Sequence, residues 1–100
     1  MMVIVAGHEY ELLNADATRI IGALFFVNKK LQGDKLVLVK DGTTTEEVLR
    51  VLIDRLEHLD SKVPCKENKT ALAALKKALT ALEARTADRQ TRAVEGTDEQ

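Results

Sequence analysis

Three arginines toward the C-terminal end, Arg85, Arg89 and Arg92, recur at helical spacing and continue a row that begins at Asn68. Positions 68, 72, 75, 79 and 82 share one helix face, so Asn68 opens an apolar row and the arginines close it. Guanidinium groups are planar forked donors suited to phosphate, and they stay charged at any relevant pH. An amide at the head of such a row must find partners or face water. Asn68 serves either as a cap or loop anchor, or as a polar group directed into a ligand pocket at a bend. The arginines also have two readings. Cations in the last turns complement the helix dipole, and Asp88 can pair locally with Arg85 or Arg92. Placement on the face that packs favours the other reading, in which a ligand or a neighbouring subunit supplies a counter-anion.

His58 stands between Leu56 and Leu59. A lone histidine there is an edge residue, or a flat ring that can stack on a base or ribose. No serine or cysteine nucleophile lies near it in sequence to suggest a catalytic pair, and His8 reads as a turn residue. No two nitrogen or sulfur ligands share a recognisable metal spacing, so no metal is expected. Phosphate-cradling glycine loops are absent: Asp41-Gly42-Thr43-Thr44 has one glycine and is explained by a helix cap. Glu46-Glu47 and Lys76-Lys77 read as solvated faces. The residues therefore suit binding and do not suit turnover, and no cofactor is expected.

Composition narrows the classes further. Apolar residues make up 45% of the chain, enough for a globular fold. Aromatics at 3% argue against a base-stacking single-strand binder. A net charge of −1 supplies no broad basic field, so nucleic acid is not an expected partner and any anion site is local. The single Cys65 excludes an intrachain disulfide and fits a reducing, cytoplasmic compartment. The longest apolar run, residues 20–27, is far short of a membrane span, and Met1–Gly7 lacks the features of a signal peptide.

The elements that must position these residues fall into two halves. Val3-Ile4-Val5 and Glu9–Leu13 flank Gly7-His8 and read as a hairpin. Asn14–Asp16 reads as a turn. The stretch from Thr18 to Asn28 reads as strand rather than short helix, because Gly22 interrupts it and Phe25-Phe26-Val27 closes it. Gln32-Gly33-Asp34 is a turn before Lys35–Lys40, the clearest strand. Thr44-Thr45-Glu46-Glu47 matches a capping box. Val48, Leu49, Leu52, Ile53, Leu56 and Leu59 then form one apolar helix face, and Val63-Pro64 ends it. A second helix starts near Cys65, with Ala71, Leu72, Leu75, Ala78, Leu79 and Leu82 as its stripe. The short link makes the helices antiparallel. The expected fold is α+β in one domain: an antiparallel β-unit of about four strands over 1–42, a helical hairpin over 43–92, and a polar, acidic, disordered tail over 93–100.

Five segments in order carry a resemblance: Asp41–Leu49, Leu52–Leu56, Pro64–Asn68, Arg85–Arg89 and Val94–Thr97. Together they resemble the phage anti-Thoeris sponge proteins, a hairpin-domain group shared with the anti-CBASS cyclic-nucleotide sponges. The resemblance covers mainly the second half of the chain, preceded by a β-unit of compatible size. It implies a catalytically silent protein in the infected host cell that binds a cyclic ADP-ribose isomer and withholds it from its effector. It also implies a homo-oligomer, dimer or hexamer; some members bind cyclic di- or trinucleotides at separate sites. By position, Asn68, Arg85 and Arg89 match polar pocket residues, the arginines suiting the pyrophosphate. His58 matches a position that is usually aromatic and stacks on adenine or ribose. Ala93 stands where a glycine is often found. The rival expectation is a structural or protein-interaction module whose arginine stripe meets an acidic partner.

Overall fold

The structure, a computed structural model, describes residues 1–94, with side chains as far as Thr91. Its elements are β1 (Met2–Val5), β2 (Glu9–Leu13), β3 (Ile20–Phe25), β4 (Asn28–Gln32), β5 (Lys35–Lys40), α1 (Thr45–Lys62) and α2 (Lys66–Val94). The α+β class read from the sequence holds. Residues 1–44 and the chain from Thr45 onward form two compact units.

In the first unit β1, β2 and β3 make an antiparallel sheet in that order, and β4 and β5 make a separate hairpin. Register places Val3 beside Tyr10 and Tyr10 beside Leu24, so these three share a face. The Tyr10 ring meets Phe26 edge-on at 5.9 Å. Residues 25–27 tie the unit together. Phe26 N–H donates to the His8 carbonyl at 2.7 Å, Thr43 N–H to the Phe25 carbonyl at 2.7 Å, and Val27 N–H to the Thr43 carbonyl at 2.9 Å. Gly42 lies so close to this segment that a Cβ there would collide with the Phe25 carbonyl. Lys40 Nζ sits 4.4 Å from the centre of the Phe25 ring and pairs with Glu9 at 2.7 Å.

The long strand expected from Thr18 to Asn28 is divided. It begins only at Ile20, because Thr18 closes the preceding loop. Thr18 and Arg19 N–H both donate to Asn14 Oδ1, at 2.8 and 3.1 Å, while Ala17 takes a φ of 60°. It breaks at Phe26 and Val27, where the chain turns its hydrogen bonds to His8 and Thr43. The strand beyond the four expected, β4, lacks apolar alternation because it is nearly all exposed; pairing with β5 around Gly33, at φ 67°, makes it a strand.

The second unit is the antiparallel hairpin. α1 begins at Thr45, which leaves Thr44 at the cap position, and acids fill its first turn. Along α1, Glu46, Leu49, Ile53, Leu56 and Asp60 form the half-buried row, with Val48 half-buried beside it; along α2, Asn68, Leu72, Leu75, Leu79, Leu82 and Thr86 do, with Ala71 beside it. Both sets step by three and four, the seam of two helices packed side by side. Ion pairs flank it from bend to open end: Lys69–Asp60 at 2.8 Å, Lys76–Glu57 at 3.1 Å and Arg50–Glu83 at 3.2 Å.

Two expectations change here. α1 carries more apolar residues than α2 covers, so Leu52 and Leu59 are exposed, as is Val51 at 61%. Ala78 is exposed too. Ala93 and Val94, expected to begin the disordered tail, belong to α2; the remaining tail, residues 95–100, lies outside the described residues, as does the Arg92 side chain. None of the described residues is buried, and β1 exposes all four of its residues.

Candidate functional site

The sequence-derived site residues all fall in the helical unit, at its two ends. At the bend, α1 ends at Lys62 and α2 starts at Lys66, with Pro64 between them. The Asp60 carboxylate accepts from Cys65 N–H at 3.0 Å and from Lys69 Nζ at 2.8 Å. Those hydrogen bonds, led by the one from Lys69, hold its pKa below the ordinary aspartate value. Cys65 Sγ accepts from Asn68 N–H at 3.3 Å and so occupies the N-cap role of α2. Asn68 itself is half-buried, and its side-chain amide makes no hydrogen bond to another described residue. The capping duty open to Asn68 therefore belongs to Cys65. His58, one turn back on α1, is exposed; its carbonyl accepts from Ser61 Oγ at 2.6 Å.

At the open end, Thr86 Oγ1 donates to Glu46 Oε2 at 2.9 Å across the two helices. This hydrogen bond is the largest cause of a lowered Glu46 pKa, and the nearby charges of Arg85 and Arg50 act in the same direction. Arg85 and Arg89 are exposed, and neither forms a salt bridge with another described residue. The row on the packed face runs from Leu82 to Thr86, so Arg85 flanks that face, whereas Arg89, three residues past Thr86, continues the row and is exposed. This corrects the placement of Arg85 read from spacing alone: a step of three from 82 and a step of four differ by about 100° around the helix, and the packed seam takes the step of four. α2 has 29 residues against 18 in α1, so its last turns outreach α1 and Arg89 stands on the overhang.

The two groups are far apart. Asn68 and Arg85 are separated by about 25 Å at 1.5 Å per residue. His58 and Asn68 lie toward the bend, and Arg85 and Arg89 toward the open end. Within one hairpin no single small molecule spans both.

Asp60, Cys65, Glu46 and Thr86 were not singled out from sequence. A signal existed for two of them: Glu46 and Thr86 extend the three-and-four spacing of their helices beyond the last apolar residue. In the β-unit, an open concavity of about 550 Å³ lies against Leu24, Phe25, Lys40 and Gly42. Among the described residues, no three His, Cys, Asp or Glu side chains could hold a metal ion, and no helix is long and apolar enough to cross a membrane.

Comparison with known proteins bears on these helices. The chain is 40% identical over 60 residues, 59% of its length, to Thoeris anti-defense 1 of Bacillus phage SBSphiJ7. It is similar to an anti-Thoeris protein. The anti-Thoeris resemblance read from the five segments is thereby borne out. The matched stretch spans 42% of that relative's length. No family model matches the chain, and no solved structure does.

Proposed function

We propose that this chain is a phage anti-defence sponge. In this reading it binds a cyclic ADP-ribose-type immune signal, of the glycocyclic class, and holds it intact in the infected host cell. The observation that carries the reading is a pair of exposed guanidinium groups one turn apart, neither in a salt bridge with another described residue. Like charges at that spacing repel, and a pyrophosphate offering two anionic groups relieves both at once. Similarity to a protein named for anti-Thoeris defence supports the same direction.

The separation of the two groups sets the architecture. A ligand held by Arg85 and Arg89 of one copy reaches Asn68 and His58 only if they come from another copy. Two hairpins laid antiparallel about a twofold axis bring the open end of each beside the bend of the other, giving two equal pockets. The exposed Val51, Leu52 and Leu59 on α1 provide apolar surface for such packing. In each pocket the arginines hold the diphosphate, the Asn68 amide bonds a ribose hydroxyl or base edge, and His58 stacks. Sequestration needs affinity and no chemical step, and the pocket residues have no nucleophile among them. A further site for cyclic di- or trinucleotides, built by higher assembly, is part of the same family expectation.

Calorimetry with cyclic ADP-ribose isomers and cyclic oligonucleotides tests the reading. The expected result is saturable binding of a cyclic ADP-ribose isomer, with the nucleotide recovered unchanged after heat denaturation. Recovery of a cleaved product would point to an enzyme. Exposure of Arg85 and Arg89 in the single chain also suits an acidic protein partner; a folded protein that gives no heat with any nucleotide would favour that alternative.

A further inference from the structure

We propose that Asp60 is a positioning residue for the bend side of the pocket, fixing Asn68 relative to His58. The inference rests on the sponge reading above. Asp60, two residues after His58, fastens the last turn of α1 to the turn carrying Asn68. Its side chain is 17% exposed, and its two oxygens have different duties. Oδ1 accepts from Cys65 N–H at 3.0 Å, and Oδ2 accepts from Lys69 Nζ at 2.8 Å. Cys65 in turn takes the Asn68 N–H on its sulfur at 3.3 Å. The residues that Asp60 holds, 65 and 69, therefore bracket Asn68 on both sides.

A cap alone would not need this arrangement. Sulfur is a weak acceptor, and a helix start held only by Cys65 would be free to fray. The second carboxylate oxygen, reaching past the cap to Lys69, pins the first turn of α2 to the last turn of α1. The Asn68 amide is left without an internal partner, so only its backbone is fixed, and it is fixed through this latch. An amide in place of the carboxylate keeps one acceptor and loses the charge, so Asp60→Asn retains part of the latch. Alanine removes both halves.

The test is titration of glycocyclic ADP-ribose into the full chain and its variants. D60A is expected to bind about tenfold more weakly, a change of about 1.4 kcal/mol, with D60N between it and the wild type. In an N68A background, D60A should cost nothing further, because its effect passes through Asn68. Amide exchange gives a readout without ligand: the Cys65 and Asn68 N–H groups should exchange faster in D60A. If D60A fails to fold, Lys69→Met opens the latch from the other side and should show the same dependence on Asn68. Wild-type affinity in D60A, unchanged exchange at Asn68, or equal losses with and without Asn68 would overturn the positioning role alone. A wild-type chain that binds no cyclic ADP-ribose isomer overturns the sponge reading, and the positioning role with it.

Discussion

At the scale of single residues, the arginine pair and the Glu46 carboxylate make the most specific claims. In the proposed pocket Arg85 and Arg89 act as forks and not as point charges, so lysine should not replace them. Arg89→Lys keeps the charge and loses the bidentate geometry. We expect R89K to weaken binding of a cyclic ADP-ribose isomer by about tenfold, and R89A by about 1.5–3 kcal/mol, read by calorimetry. Equal affinity for R89K and wild type would mean that charge alone is recognised. Glu46 makes a claim about pH. Its folded pKa lies below the ordinary glutamate value of about 4.3, chiefly through the Thr86 hydroxyl. A lowered folded value stabilises the hairpin above the unfolded pKa, and that contribution disappears as pH falls through the folded one. Thermal melts should therefore lose stability below about pH 4.3, and Glu46→Gln should remove that part of the acid dependence.

At the scale of elements, Gly42 and the helix seam show what was legible in the sequence and what was not. Both helices, their break at Val63-Pro64 and the strands β1, β2 and β5 were readable, because caps, proline and apolar spacing are local signals. Asn68 was correctly placed on the packed row for the same reason. The rest depended on long-range hydrogen bonds. Thr18 could not be told from a strand residue until Asn14 was seen to accept from its amide. β4 carries no apolar period and exists through its partner. Arg85 was assigned to the wrong side of the seam because spacing permits both a three and a four step after Leu82, and only the packed helix chooses; Arg89 falls on the row either way. Gly42 was read as part of a cap, whereas its small size lets residues 25–27 close the β-unit. Gly42→Ala should cost about 1–3 kcal/mol in urea unfolding, since backbone and not a flexible side chain must yield. A neutral result would mean that this segment readily shifts.

At the scale of the whole molecule, the absence of any buried residue among those described is the dominant fact. A chain of this size normally closes a core of its own, yet Val3, Ile4, Ile21, Leu38 and Val39 are all more than half exposed. The same chain carries its candidate site in two halves about 25 Å apart. In the proposed dimer a second copy would answer both features at once, covering apolar surface and bringing Arg85 and Arg89 to Asn68 and His58. The most direct test is complementation between two binding-deficient chains, N68A and R85A/R89A. Each alone should bind glycocyclic ADP-ribose far more weakly than the wild type. Mixed and reassembled, half the dimers combine the two chains, and each of these holds one pocket with intact residues from both. About a quarter of the wild-type number of sites should return, at wild-type affinity. If the mixture binds no more than its components, the two halves do not meet across copies, and the shared pocket is wrong.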